Sequence, residues 1–259
     1  CLKKFIGYYL LHPRSIYGKF SFSRLCADAG VLDDFIEPAE SILTKAFSKL
    51  VAVDSRRWIK FLTDILPRFS CELAASLSDF EKRMLQMFYI TVFQEAADWH
   101  SHTAQANMQL LADSPIMMHE LNELLSFNLE RIDFIDQPVP LGFDCPLDLH
   151  CTYTRDQILI AMDYMTPKNV REGVKWLPDK QVDVFFITFN KADKDYSPTT
   201  MYNDYSINES LFHWQSQSTT SDTASTGQRY INHRQRGSRV VLFVREFKQD
   251  SIGAAPYTC

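Results

Sequence analysis

Glycine is scarce in this chain: 8 in 259 residues. No Gly-rich loop is available to cradle a phosphate, and G-x-x-x-x-G-K-[ST] does not occur, so nucleotide hydrolysis of the P-loop type is excluded for this stretch. H-E-x-x-H and G-x-S-x-G are also missing, which removes the zincin and nucleophile-elbow chemistries. The six cysteines, at 1, 26, 71, 145, 151 and 259, form no C-x-x-C pair. Neither a zinc ribbon nor a thioredoxin motif is supported, and the wide scatter reads as reduced thiols of a cytoplasmic protein. No bound metal or cofactor is expected. No apolar run approaches the roughly 20 residues of a membrane span. "FIGYYLL" is far shorter and is preceded by Lys3 and Lys4. No small-residue cleavage pattern marks a signal peptide. The chain opens at Cys1 with a helical pattern already under way, which reads as a piece of a longer protein. Nor is there an excess of one charge: the net −5 argues against a generic nucleic-acid coat.

What is present falls into two halves, predicting an α+β protein. Residues 1–136 are expected to form an all-helical bundle, a linker or assembly domain. "ESILTKAFSKLVAV" puts Ile42, Leu43, Ala46, Phe47 and Leu50 on one stripe at helical spacing. "RRWIKFLTDIL" repeats the stripe with Trp58, Ile59, Leu62 and Ile65, and Pro67 ends it. Ser78 and Glu81 form a capping box. Ser114 and Pro115 read as N-cap and first helical residue. Met84, Met87, Met117 and Met118 are expected in the core. Prolines and a glycine in "DQPVPLGFDCPLDLH" mark the boundary. Residues 146–259 then change character. Thr154 and Gln157 cap a short helix. "VDVFFITF" (182–189) and "RVVLFVREF" (239–247) predict strands, with "GVKW" and "RYINH" weaker ones. The tract "STTSDTAST" (218–226) has no apolar anchor and predicts a mobile loop. Together these elements predict either an α+β half or a small, partly open β-barrel with flanking helices.

The chemistry-bearing candidates sit in the second half. A restriction-nuclease core needs an acid followed by an acid-x-Lys triplet on the next strand. Asp179 or Asp183 could be the first acid, but the triplet "FNK" (189–191) places Phe189 where a metal-binding carboxylate must stand. His213 with Asp204 could pair a base with its orienter, but no nucleophile accompanies them. No catalytic residue is therefore assigned. The stretch "YSPTTMYNDYSINESLFHWQSQ" (196–217) alternates rings with amides and hydroxyls. Base recognition needs flat faces for stacking and polar groups for base edges. Just beyond it, residues 229–248 carry five Arg and one Lys against a single acid, Glu246. Such a patch suits a phosphate backbone. The residues alone leave two readings open, because rings in a small β domain also build cores and Arg clusters also form solvated faces.

"PLDLHCTYTRDQILIAM", "EGVKWL", "DVFFITFNKADKDYSPTTMYNDYSINESLFHWQSQSTT", "TGQRYINH" and "VVLFVRE" together resemble a domain of unknown function. It lies at the C-terminus of large bacterial superfamily-2 helicase proteins, among them the modification-dependent (type IV) restriction enzymes. The resemblance covers about residues 146–246, and "IYGKFSFSRLCADAGV" resembles their helical linker. It implies an SRA-like, PUA-related fold that flips a 5-methyl- or 5-hydroxymethylcytosine from double-stranded DNA into an aromatic pocket. It further implies nuclease and helicase domains in the same chain as partners, with no cutting by this stretch itself. Residue chemistry then nominates Tyr202, Asp204, Tyr205 and Trp214 for the modified-base pocket. Lys191, Ser216, Gln217, Arg229, His233, Arg234 and Arg236 are the expected DNA contacts, with Asn203 and Gln215 as further edge readers. A different reading makes the chain a structural or dimerisation module of a helicase-containing defence protein, forming a homodimer and reading no base.

Overall fold

The computed structural model describes residues 2–190, 204–208, 211–217 and 220–259. Eight α-helices fill the first half of the described chain: α1 (Leu2–Tyr9), α2 (Phe22–Asp28), α3 (Glu40–Leu50), α4 (Arg56–Ile65), α5 (Cys71–Ser76), α6 (Asp79–Phe93), α7 (His102–Ala112) and α8 (Pro115–Glu130). Their starts follow local side-chain chemistry. Ser55, Ser70 and Ser101 each accept a backbone N–H from the first turn of α4, α5 and α7. Ser78 and Glu81 close the expected capping box on α6. The start of α8 departs from expectation. Ser114 holds the N-cap position, but its hydroxyl donates to the Leu110 carbonyl and accepts from Ala39 N–H. The Glu37 carboxylate takes its place, accepting Ile116 and Met117 N–H at 2.8 and 2.9 Å. A carboxylate at a helix N-terminus also meets the positive end of the macrodipole.

The apolar stripes face inward as their spacing requires. Trp58, Ile59, Leu62 and Ile65 of α4 and Leu43, Phe47 and Leu50 of α3 are buried together. Met84, Met87 and Met117 are buried and Met118 packs against them, so the methionine stripe is core. Each such side chain contributes ~1.5–3 kcal/mol on burial. No described helix is long and apolar enough to cross a membrane.

The second half builds strands β1 (Thr152–Tyr153), β2 (Val174–Leu177), β3 (Val182–Asn190), β4 (Tyr205–Asn208), β5 (Leu211–His213), β6 (Arg239–Phe247), β7 (Gln249–Asp250), β8 (Gly253–Ala254) and β9 (Tyr257–Thr258). Helices α9 (Arg155–Ala161) and α10 (Ser225–Ile231) accompany them. The α+β class holds. One sheet runs β1-β9-β6-β3-β2, parallel only between β3 and β6. Among the described residues it stays open and does not close into a barrel. Strand β3, flanked by β6 and β2, is buried from Val182 to Thr188, which explains its continuous apolar run. Helix α9 is buried from Gln157 to Ala161 and packs on α6, where Gln157 Nε2 donates to Thr91 Oγ1 at 2.8 Å.

Two local expectations fail. "RYINH" is not a strand: Arg229, Tyr230 and Ile231 are the last turn of α10. The "STTSDTAST" loop is shorter than its composition suggests, because α10 begins at Ser225; Ser218 and Thr219 lie outside the described residues. Gly227 explains the local fit. A Cβ there would stand 2.0 Å from the Ser221 carbonyl oxygen, so only glycine lets α10 rest against the preceding turn.

The two halves meet at a buried carboxylate. Asp148 is fully buried, accepts the Ser55 hydroxyl at 2.7 Å and pairs with Arg57 at 2.8 Å. Arg57 also donates to the Cys145 and Leu147 carbonyls, and the Asp148 N–H donates to the Tyr153 hydroxyl. Beside it, Asp54 accepts both Thr152 N–H and its hydroxyl. The N-terminus of α4 is thereby tied to the chain entering β1. Burial pushes the Asp148 carboxyl above the ordinary range, against Ser55 and Arg57, which pull it down. A raised folded value means that the folded chain holds this proton more tightly than the unfolded one. The group's stabilisation is complete below its unfolded pKa and declines as pH rises through the folded one. Urea unfolding across this range should therefore show a decline that Asp148→Asn flattens. Arg57→Leu should cost about 3 kcal/mol at neutral pH, because it leaves a buried carboxylate uncompensated.

Candidate functional site

Lone Asp183 in an apolar strand dictates the local arrangement. It is fully buried, so it requires a cation. Arg229 of α10 supplies one in a two-point pair, with Nε to Oδ2 at 2.8 Å and Nη2 to Oδ1 at 2.9 Å. This pairing holds the Arg229 guanidinium above its ordinary value. The same guanidinium lies 4.3 Å over the Trp176 ring and 5.4 Å from Tyr230. Trp176 is the cross-strand partner of Asp183 in β2, which puts ring and carboxylate on one face.

Two residues along β3 on that face stands Phe185. Trp214 packs on it at 4.2 Å, tilted by 36°. Tyr230 meets Phe185 edge-on at 5.2 Å and Trp214 edge-on at 5.4 Å. Each of these geometries suits the ring quadrupoles. Burial, with Asp183 next, pushes the Tyr230 hydroxyl up to about 12. The opposite face of β3 turns Phe186 toward Phe243, Tyr257 and the Arg155 guanidinium. The sheet therefore has a core face and a face built of Trp176, Asp183 and Phe185 under α10 and Trp214.

The β4–β5 hairpin borders this cluster. Tyr205 pairs with His213 across the ladder, and their rings stack at 4.8 Å with 27° between planes. Tyr205 is 52% exposed, leaving ring surface available to solvent. Asp204 Oδ1 accepts the Gln215 N–H at 3.1 Å, which closes the base of the hairpin.

The expected site residues thus divide. Tyr205 and Asp204 belong to the hairpin, and Trp214 is directed at Phe185 on the sheet. Tyr202, Asn203 and Lys191 lie outside the described residues. Ser216 donates to the Thr220 carbonyl, and Gln217 donates to Glu172 at 3.1 Å. The His233 Nδ1 sits 2.8 Å from the Tyr230 carbonyl and carries the hydrogen there. Arg229 is committed to Asp183. Arg234 and Arg236 are exposed, with no carboxylate partner among the described residues. Asp179 is exposed beyond β2, apart from the buried pair. Sequence reasoning missed Trp176, Phe185 and Tyr230. The usable signal was a lone acid inside an apolar strand, which demands an arginine nearby in space. No group of three or more His, Cys, Asp or Glu side chains suited to a metal occurs among the described residues.

The fold and this face define an α+β domain whose sheet carries a ring cluster around the Asp183–Arg229 pair beside an exposed hairpin. Residues 147–257 match the family model of a domain of unknown function (DUF3427). No curated protein and no solved structure matches the chain.

The arginines should separate by role in urea denaturation. Arg229→Met should cost about 3 kcal/mol by stranding Asp183. Arg234→Ala and Arg236→Ala should each stay within about 0.5 kcal/mol of the parent.

Proposed function

We propose that residues 146–259 form a DNA-recognition module that reads a modified cytosine, 5-methyl or 5-hydroxymethyl, flipped out of the duplex. In this reading the module is the SRA-like specificity domain of a modification-dependent (type IV) restriction enzyme. The nuclease and helicase-type ATPase would belong to other parts of the same protein, and this chain would itself cut nothing. The observation that carries the reading is the ring assembly Phe185–Trp214–Tyr230, locked by Asp183–Arg229 and Trp176, beside the exposed Tyr205–His213 stack. A flipped base is held by stacking and by polar groups on its Watson–Crick edge. Tyr205 and His213 offer the exposed stacking surface, Asp204 offers the acceptor for a cytosine amino group, and Trp214 braces them from behind. Arg234 and Arg236 project from the turn after α10 and supply phosphate contacts.

A second reading assigns assembly to the helical half. Tyr8, Leu10, Val31 and Ile36 are 81%, 91%, 75% and 97% exposed there, apolar surface that a partner would cover. The surface would pair two copies of this chain. A dimer persisting on dilution, with no DNA affinity at low salt, favours this role over base reading.

Binding to duplexes with and without 5-methylcytosine separates the two readings. The parent chain should prefer the modified duplex, and Tyr205→Ala should erase the preference at a cost of about 1–3 kcal/mol, one base stack. Trp214→Ala should erase it too, by unseating the hairpin. Arg234→Ala and Arg236→Ala should weaken binding to both duplexes alike and lower the salt slope. Equal affinity of the parent for the two duplexes would sink the proposal.

A further inference from the structure

A cleft of about 340 Å³ opens where the Pro13–Ser15 turn, the α3–α4 loop, the end of α8 and β1 converge. Three basic side chains border it: His12, Arg14 and Arg131. Asp54 is the one acid on its described wall, and both Asp54 oxygens accept from Thr152. Arg14 is answered by Asp250 of β7. Arg131 holds the C-cap position of α8, with its guanidinium 5.3 Å over the Phe127 ring. Arg131 and His12 are both exposed, and neither has a carboxylate partner among the described residues.

The walls are fixed by both halves of the chain. Arg56 Nη2 donates to the Ile132 and Phe134 carbonyls at 3.1 and 3.2 Å, which sets the segment after α8. The buried Asn128 amide donates to the Leu50 carbonyl at 3.1 Å and joins α8 to the end of α3. The Arg14–Asp250 pair draws the β7–β8 hairpin against the Pro13–Ser15 turn. His12 is held as well. Its Nδ1 accepts the Arg14 N–H at 3.2 Å, so the neutral ring carries its hydrogen on Nε2. Partial desolvation, followed by the Arg131 and Arg14 guanidiniums, holds the imidazole below its ordinary value. Two guanidiniums and an imidazole therefore share one cleft, and two of the three groups lack a counter-charge. An anionic oxygen relieves such a set and takes charge-assisted hydrogen bonds from it.

We propose that this cleft binds a tetrahedral oxyanion of the sulfate and phosphate class, with His12 and Arg131 as its ligands and the Asp250-paired Arg14 beside them. The site shares no residue with the ring-lined face and stands independently of the base-reading proposal. It has room for a phosphorylated small molecule, and a DNA phosphodiester presents the same oxygens. The charged groups around His12 are Arg14 on its own turn, Arg131 at the end of α8, Asp54 on the α3–α4 loop and Asp250 behind Arg14. An anion among them offsets the two guanidiniums and favours the imidazolium. Its affinity therefore rises as pH falls through the His12 titration, and by the same factor it tightens the His12 proton.

Proton NMR of the whole chain tests this by following the Cε1–H resonances of its seven histidines against pH, in sodium sulfate and in sodium chloride at matched ionic strength. Sulfate stays a dianion throughout, so only the protein titrates. His12→Asn, which keeps an acceptor for the Arg14 N–H, identifies the His12 resonance. Sulfate should move that resonance saturably, bind the protonated chain about tenfold more tightly than the neutral one, and so raise the His12 midpoint. Arg131→Ala should raise the midpoint without sulfate, because a repelling charge is gone, and should weaken sulfate binding about tenfold. Arg131→Lys should keep both near the parent. A short unmodified duplex at low salt identifies the source. Competition with sulfate at His12 supports a nucleic-acid backbone, and a His12 resonance that answers sulfate but not the duplex supports a free oxyanion compound. A His12 resonance that ignores sulfate, or that chloride moves equally, overturns the proposal; so does an Arg131→Ala chain that binds sulfate as the parent does.

Discussion

Burying a carboxylate costs several kcal/mol unless a cation and hydrogen bonds meet it, and this chain does so at both of its structural joints. Asp148 joins α4 to the entry of the sheet through Ser55 and Arg57. Asp183 joins β3 to α10 through Arg229. Neither pair adds much net stability over an apolar equivalent, but each punishes misplacement of its partner severely. They act as registration devices. Asp183 admits only the arrangement that brings Arg229 across, and with Arg229 come Tyr230, the Trp176 contact and the platform on which Trp214 packs. The candidate recognition face follows from one charge in an otherwise apolar strand.

Much of the framework was legible because it is local. The stripes of α3 and α4, the capping boxes at Ser78–Glu81 and Thr154–Gln157, and the apolar strands β3 and β6 are set by residues within a few positions of one another. What escaped is set at a distance. Glu37 caps α8 from 79 residues away, displacing Ser114 from that task. "RYINH" has the rings and branched residues of a strand, yet Arg229 must reach Asp183, 46 residues earlier, and it does so from a helix. Tertiary demand for a buried counter-charge outweighed β-propensity there.

The candidate site was legible in composition but not in arrangement. The ring-and-amide stretch does contribute a hairpin and Trp214 to one region. Spacing could not show that Trp214 turns inward onto Phe185 while Tyr205 keeps an exposed face against His213. Nor could it separate Arg229, spent on a buried acid, from Arg234 and Arg236, which are exposed. A cluster of arginines in sequence is therefore divided in space between holding the domain together and facing solvent.

In the proposed function this face takes a modified cytosine out of the helix. Its most direct test places 2-aminopurine next to 5-methylcytosine in a duplex and follows emission as the chain is added. Flipping the neighbour unstacks the probe, so emission should rise with the methylated duplex, stay low with the unmethylated one, and fail to rise with Tyr205→Ala. Unchanged emission on binding the methylated duplex would contradict the account.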